Sequence, residues 1–143
     1  DVTMLRFFTA YGPGNRPDMM MYTWIDSIFN DKELLVFGGE DVARDFTYIE
    51  DIVEAVVRCL PLRGYTVLNL GNSKPIKIRY VLALLEKYIG KRAIVTYHDL
   101  PSADVPITYA DISLAKTLLD WRPTVDIEEG VKRTVLWYKE NVL

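Results

Sequence analysis

Short apolar runs alternate with segments of helical periodicity along the chain, and no other feature constrains its fold as much. The apolar runs predict strands at 3–8, 34–37, 67–70 and 94–97. Between them, hydrophobic residues recur every three or four positions, which is typical of a helix with one buried face. Strands that alternate with helices predict the α/β class.

Capping residues predict where several of these helices begin and end. Thr47 and Glu50 have the spacing of a capping box, so a helix is predicted to start there. Gly90 is predicted to end the following helix and Asp126 to begin the last one. The buried face of the helix after Thr47 is predicted to consist of Ile49, Ile52, Val53, Val56, Val57 and Leu60.

Composition and charge indicate where the protein is located and which kinds of partner it binds. The chain has 143 residues, half of them hydrophobic, which is enough for one domain with its own core. No apolar run reaches the ~20 residues of a membrane span. The single cysteine, Cys59, cannot form an internal disulfide, so we predict a cytoplasmic protein without membrane contact. The net charge is −3 without a basic stripe, so no nucleic acid partner is expected.

Two segments place an arginine beside a turn or a helix start. The first reads Phe-Phe-Thr-x-Tyr-Gly-Pro-x-x-Arg-Pro-Asp-Met and contains Arg16, and the second, Arg-Asp-Phe-x-Tyr-Ile-x-Asp-Ile, begins at Arg44. A guanidinium fork matches the oxygens of a phosphate or a carboxylate, so both arginines are candidate anion ligands. Two simpler interpretations stay open. Arg16 would brace its own turn, and Arg44 would pair at the surface with Asp41 or Asp45.

The order and spacing of these segments resemble the sugar-nucleotide half of the extended short-chain dehydrogenase/reductase family of NAD-dependent epimerases and dehydratases. Within that family they are most similar to UDP-glucuronate 4-epimerases. The resemblance implies that Arg44 contacts the nucleotide diphosphate. It also implies that Thr9 and Arg16 hold the carboxylate of the sugar, and that Asp104 meets the nucleotide ribose.

The chain departs from the family pattern at three points. Family members usually carry Gln or Arg and then Gly before the ribose-binding aspartate, whereas Ser102 and Ala103 precede Asp104. The Gly12-Pro13-Gly14 turn lacks the glycine spacing that a dinucleotide pyrophosphate requires. No tyrosine is followed by a lysine four residues later, the acid/base pair of the family. We therefore predict no catalytic and no cofactor-binding residue here, and NAD would be bound mainly by another half of the protein.

The single histidine and the start of the chain add two further expectations. His98 has no second or third ligand at a suitable spacing, so no metal site is predicted. The sequence begins at Asp1, directly before strand-like sequence, and is interpreted as a fragment of a longer protein. Alone, such a fragment is expected to be inactive.

The resemblance implies a layout and a function. Residues 1–62 would supply the terminal strands and helices of a Rossmann-like nucleotide-binding sheet, and residues 63–143 the small α/β lobe that covers the UDP-sugar. The implied function is the UDP-sugar-binding portion of an NAD-dependent isomerase, a UDP-glucuronate 4-epimerase that inverts C4 through a 4-keto intermediate.

Three alternatives remain. The first is a nucleotide-sugar 4,6-dehydratase or a UDP-glucuronate decarboxylase of the same family. The second is a non-catalytic nucleotide-sugar-binding module, and the third is a structural fragment that binds nothing alone. In each case the strand at 3–8 would expose an apolar edge, so a homo-oligomer is predicted.

Overall fold

In the computed structural model, which describes residues 1–143 apart from the side chain of Glu40, strands and helices alternate along the chain. The strands are β1 (Val2–Phe7), β2 (Thr9–Tyr11), β3 (Glu33–Phe37), β4 (Ala43–Tyr48), β5 (Tyr65–Leu70), β6 (Pro75–Lys77) and β7 (Ile94–His98). The helices are α1 (Met20–Phe29), α2 (Ile49–Cys59), α3 (Ile78–Ile89), α4 (Ser113–Leu119) and α5 (Ile127–Asn141). The predicted α/β class is confirmed.

Strand pairing joins distant parts of the sequence. β1 pairs with β5 and β3 with β7, both in parallel. β4 lies between β2, to which it is parallel, and β6, to which it is antiparallel. Each of these sheets therefore contains a strand from before residue 62 and one from after it. The division into two lobes near that residue stays a prediction, and the pairing means that the two segments share their sheets.

The strand predicted at 3–8 is confirmed as β1, within one residue at each end. A second short strand, β2, begins at Thr9 and belongs to another sheet. Between them, the Phe8 amide donates to the carbonyl of Leu70 at 3.0 Å, the last bond to β5 before the chain crosses to β4. The sequence prediction missed β2 because the change of sheet leaves no break in the sequence pattern.

The predicted capping box is also wrong. Thr47 lies inside β4, and α2 begins at Ile49 with Tyr48 as its cap residue and no side-chain cap bond. The Thr47 hydroxyl is buried and has no hydrogen-bond partner within the described structure. Glu50 instead contacts Arg133 at 3.3 Å. Because Thr47 is extended and paired in the sheet, its side chain points into the protein and not toward the helix start.

The predicted buried face of α2 is wrong in part, because it combines residues from a buried face and an exposed face of the helix. The buried apolar residues are Ile52, Ala55 and Cys59. Val53, Val57 and Leu60, by contrast, are 54%, 57% and 75% exposed. The helix packs through residues spaced three and four apart, and the exposed face is turned away by the same periodicity.

Two other helix boundaries are as predicted. Gly90 ends α3 in the left-handed region at φ 80°, a conformation that glycine adopts without strain. Asp126 begins α5, and its carboxylate accepts a hydrogen bond from the Glu129 amide at 2.9 Å. Among the described helices, none has the length and apolar content needed to cross a membrane.

The hydrophobic residues form two clusters. The first lies among α1, α3, α5, β3 and β4, and the second among α2, α4, β5 and the segment that leads into α4. Phe46 and Tyr48 of β4 belong to the first cluster, and Ile52 of α2 belongs to the second. The segment that begins at Arg44 therefore joins the two cores.

Candidate functional site

Arg44 is the second residue of β4, and its side chain is held from several directions. β4 pairs with β6 at Arg44 itself and with β2 from Phe46 onward, so the backbone that carries Arg44 is fixed. Its Nη1 donates to the carbonyls of Ala43 at 3.0 Å and Pro106 at 3.3 Å. Its Nη2 donates to Oδ2 of Asp104 at 2.8 Å. The Arg44 side chain is 16% exposed, so it lies in a defined position that solvent can still reach.

This pair brings together two residues predicted to contact the same nucleotide. Arg44 and Asp104 are 60 positions apart in sequence. The simpler interpretation, a surface pair with Asp41 or Asp45, is wrong. Asp41 binds Lys77 at 2.7 Å. Asp45 is fully buried. The ligand-binding roles of Arg44 and Asp104 stay predictions.

Asp45 is a structural residue that the sequence reasoning missed. Its buried carboxylate accepts backbone N–H bonds from Asn72 at 2.7 Å, Ser73 at 3.0 Å and Ala110 at 2.8 Å. Its own amide donates to the Thr108 hydroxyl at 2.9 Å. These bonds satisfy the buried carboxylate and attach two separate segments to the strand that carries Arg44. We call this set of bonds the Asp45 framework.

The Asp45 framework also explains the glycine at position 71. A Cβ at Gly71 would lie 2.3 Å from the Ala110 Cβ and 3.3 Å from Oδ2 of Asp45. Any larger side chain would separate the turn from the aspartate. The glycine directly after β5 was the signal available in the sequence.

Asp51, in the first turn of α2, has a similar structural role. It is 2% exposed, and its carboxylate accepts from the Thr124 amide and hydroxyl at 3.0 Å each and from the Val125 amide at 3.1 Å. Its backbone carbonyl accepts a bond from the Trp121 indole at 3.0 Å. Both aspartates of the second segment therefore hold the scaffold around Arg44.

Thr9 and Arg16 lie in a different environment. Thr9 is the half-buried first residue of β2 and is paired in register with Phe46. Arg16 lies in the turn after β2, with 73% of its side chain exposed. Its fork binds Asp18 through two bonds, Nε to Oδ1 at 3.0 Å and Nη2 to Oδ2 at 2.7 Å. These hydrogen bonds lower the pKa of the Asp18 carboxyl from its usual value.

Of the four predicted ligand residues, the structure brings together Arg44 and Asp104. Among the residues that the structure describes, no hydrogen bond or ion pair links Thr9 or Arg16 to that pair or to each other. Thr9 is half-buried in β2, and Arg16 is exposed in the turn that follows. The proposed carboxylate contact of Thr9 and Arg16 stays a prediction.

Gly12 and Gly14 do not form a dinucleotide cradle. Gly12 and Gly14 have positive φ, but α1 begins only at Met20, so its first amides do not follow the turn directly. A Cβ at Gly14 would meet nothing within 4 Å, so no backbone approach requires that glycine. These residues do not fit a pyrophosphate at a helix start. Within the described chain, no three metal-binding side chains converge.

A cleft of about 690 Å³ lies elsewhere, between β6, the start of α3 and the segment before α5. Among its polar side chains, Tyr80 bonds to Glu128 and Asp126 caps α5. The cleft contains none of the four predicted ligand residues.

Comparison with known proteins gives a consistent picture. Residues 1–71 match the model of the NAD dependent epimerase/dehydratase family. The chain is 48% identical over 143 residues to a UDP-glucuronate 4-epimerase from Thermodesulfobacterium geofontis (strain OPF15), which is 99% of this chain and 44% of that protein. The chain thus spans less than half the length of this relative.

Two solved structures are similar in backbone as well as sequence. MoeE5 in complex with UDP-glucuronic acid and NAD has a TM-score of 0.93 at 30% identity, covering 98% of this chain and 48% of that one. The UDP-glucuronic acid 4-epimerase from Bacillus cereus, in complex with UDP-glucuronic acid and NAD, has a TM-score of 0.89 at 35% identity, covering 96% and 45%. The fold matches the corresponding part of each neighbour.

Proposed function

Because the chain belongs to the NAD-dependent epimerase/dehydratase family, we propose that it is the UDP-sugar-binding part of a nucleotide-sugar 4-epimerase that acts on UDP-glucuronate. The observation that carries the proposal is the Arg44–Asp104 pair. Two residues 60 positions apart, each implied by resemblance to contact one nucleotide, lie 2.8 Å from one another. The choice of UDP-glucuronate as the proposed substrate rests on the names of the similar proteins and on the segment that contains Thr9 and Arg16.

Arg44 is the proposed diphosphate ligand. Its side chain is mostly buried yet accessible to solvent, and the Asp45 framework fixes the strand that carries it. A positioned fork of N–H donors binds phosphate oxygens more strongly than a mobile one, since less side-chain entropy is lost on binding. Asp104 is the proposed partner of the ribose hydroxyls.

Thr9 and Arg16 are the proposed ligands of the sugar carboxylate. The Arg16 fork already binds one carboxylate, that of Asp18, through two parallel bonds. A uronate carboxylate presents the same pair of oxygens, so it fits the same donors.

Holding the carboxylate would also protect the proposed reaction. Inversion at C4 passes through a ketone at C4, and with a carboxylate at C6 that ketone is a β-keto acid that loses CO₂ readily. The loss requires the bond to the carboxylate to align with the carbonyl π system. A two-point contact from Thr9 and Arg16 would restrict that rotation.

The hydride chemistry and the proton transfer are proposed to reside outside this chain. NAD, when bound, supplies the hydride acceptor and donor, and the glycines here do not fit its pyrophosphate. The sequence also lacks the Tyr-x-x-x-Lys pair. We therefore propose that this chain alone binds substrate without turning it over. A cytoplasmic location is proposed from the single, unpaired cysteine.

A homo-oligomer through β1 is part of the proposal. β1 is paired on one side only, by β5. Its residues Val2 and Met4 are 56% and 47% exposed on the face that also carries Tyr65. An unpaired edge beside an uncovered apolar face favours association, so sedimentation of the chain at high concentration should detect a species larger than the monomer.

Isothermal titration calorimetry with UDP, UDP-glucose and UDP-glucuronate tests the binding proposal. We expect UDP to bind and UDP-glucuronate to bind more tightly. Arg44→Ala should weaken all three ligands, and Arg16→Ala should remove only the gain from the uronate. Equal affinity for UDP-glucose and UDP-glucuronate would favour a dehydratase-type site. No heat with any ligand would contradict the proposal.

A chimera tests the reaction. This chain would replace the matching 44% of the Thermodesulfobacterium geofontis enzyme, with which it shares 48% identity. The expected product by NMR is the C4-inverted uronate, and Arg16→Ala in the chimera should increase the decarboxylated by-product. Decarboxylation by the unmodified chimera as its main reaction would replace the epimerase assignment with a decarboxylase.

A further inference from the structure

We propose that Asp104 is an exchangeable internal ligand of Arg44. In the free chain it occupies the guanidinium, and a nucleotide diphosphate must displace it in order to bind. This inference rests on the proposed nucleotide-binding role of Arg44 and deepens it. Asp104 would then set the affinity for the diphosphate, and binding of the diphosphate would be coupled to movement of the segment 101–105.

The hydrogen bonds of Arg44 place Asp104 in competition with an added anion. Nη1 donates to the carbonyls of Ala43 and Pro106, which also accept backbone hydrogen bonds. Nη2 donates to Oδ2 of Asp104. A phosphate that binds Nη2 in the same direction therefore has to take the place of this carboxylate.

The two partners differ in how firmly they are held. The Arg44 side chain is 16% exposed, whereas that of Asp104 is 45% exposed. Arg44 belongs to a central strand, and Asp104 lies in an irregular segment between β7 and α4. Exchange would therefore move the aspartate and leave the arginine in place.

The segment around Asp104 has a base near Pro106 and Thr108 that is bonded to β4, and a tip at 101–105 that is exposed. At the base, the Ala43 amide donates to the Pro106 carbonyl at 2.8 Å, and the Thr108 amide donates to the Ala43 carbonyl at 3.2 Å. The tip, 101–105, is exposed throughout. Its other hydrogen bonds are local, from Asp104 N to Pro101 O at 2.9 Å and from Val105 N to Asp104 Oδ1 at 2.8 Å. The tip can therefore move without breaking the base.

Inorganic pyrophosphate is the sharpest probe, because it has the phosphates and lacks the ribose. Asp104→Asn removes the competing charge and keeps the size of the side chain. We expect it to tighten pyrophosphate binding roughly fivefold, the size of effect expected from a partly exposed ion pair. The affinity for UDP should increase less than that for pyrophosphate, because Asp104→Asn also weakens the proposed ribose contact.

Two further variants make the measurement specific. The Arg44→Ala and Asp104→Asn double variant should lose the gain, because the exchange acts through Arg44. Asp31→Asn removes the same charge from another aspartate–cation pair, Lys91 and Asp31 at 2.7 Å, whose side chains are 40% and 69% exposed. It should leave pyrophosphate affinity unchanged. An equal gain in Asp31→Asn would show a net-charge effect and overturn the exchange.

The remaining outcomes separate this inference from the proposed function. If Arg44→Ala abolishes binding while Asp104→Asn leaves pyrophosphate affinity unchanged or weaker, the exchange is wrong and the nucleotide site stands. If neither the wild-type chain nor Asp104→Asn binds pyrophosphate or UDP, the proposed function fails and the exchange fails with it.

Discussion

Arg16 and Arg44 are each paired with an aspartate, yet the two pairs are built differently. Arg16 binds Asp18, two positions away, and both side chains are largely exposed. Arg44 binds Asp104 from a strand that the Asp45 framework fixes. An arginine–aspartate pair can therefore be formed locally by a turn or by segments that only the whole fold brings together. The two kinds of pair should respond differently to substitution.

The Arg16 turn is nevertheless attached to the core at one point. Tyr11, the last residue of β2, is 3% exposed and packs edge-to-face on Phe46 at 5.9 Å and Tyr48 at 5.6 Å. These ring contacts fix where the turn begins. The turn itself is held by exposed contacts, which contribute little to stability.

The largest expected effect is at the framework. Asp45→Asn replaces an acceptor of several buried amide bonds with a group that has one acceptor and an N–H₂ donor facing N–H donors. We expect the free energy of unfolding to fall by ~3 kcal/mol in urea denaturation. Asp41→Asn, next to the same strand but exposed, is the control and should change little. A loss below ~1 kcal/mol for Asp45→Asn would mean that Arg44 is not held by this framework.

A smaller loss is expected where the Arg16 turn meets the core. A Cβ at Gly130 would lie 2.0 Å from the Tyr11 hydroxyl, so Gly130→Ala must displace a buried ring. Overpacking of this kind costs ~2 kcal/mol, more than the gain in helix propensity from alanine. The double variant Gly130→Ala with Tyr11→Phe lacks the clashing oxygen and should recover part of the lost free energy of unfolding. Equal stability of Gly130→Ala and this double variant would contradict the contact.

A stabilising change is expected at Thr47, which lies in the strand that carries Arg44 and is paired with β2. Its buried hydroxyl has no partner in the described structure, so Thr47→Val should raise the free energy of unfolding by ~1 kcal/mol. Thr134→Val is the matched control, since that buried hydroxyl donates to the Gly130 carbonyl at 2.7 Å and should lose stability. A loss in both variants would mean that the Thr47 hydroxyl has a partner.

The smallest effect on stability is expected at Arg16 itself. Arg16→Ala should leave the melting temperature unchanged, because the pair is exposed and local. It should, however, raise the pKa of the Asp18 carboxyl toward its usual value, because the hydrogen bonds from Arg16 hold that pKa down. Carbon-detected NMR titration measures the shift. An unchanged pKa, or a clear loss of stability, would show that the turn is not organised as described.

Prediction from sequence succeeded where the signal was local. The alternation of strands and helices, the end of α3 at Gly90 and the start of α5 at Asp126 were all visible. It missed the strands β2, β4 and β6, which lack the apolar alternation of an ordinary strand. The Thr47 capping box failed for the same reason, because a sequence pattern that also fits a helix start lies inside a strand.

Periodicity, turn residues and motif spacing are properties of neighbouring residues, so they were enough to predict the α/β class, the resemblance to the epimerase/dehydratase family and the two arginine-bearing segments. The burial of Asp45 and Asp51 as hydrogen-bond acceptors and the contact of Arg44 with Asp104 became visible in the folded structure alone. These contacts join residues 27 to 74 positions apart. Which distant segments meet depends on how strands pair and how two cores pack, and no local pattern encodes that choice.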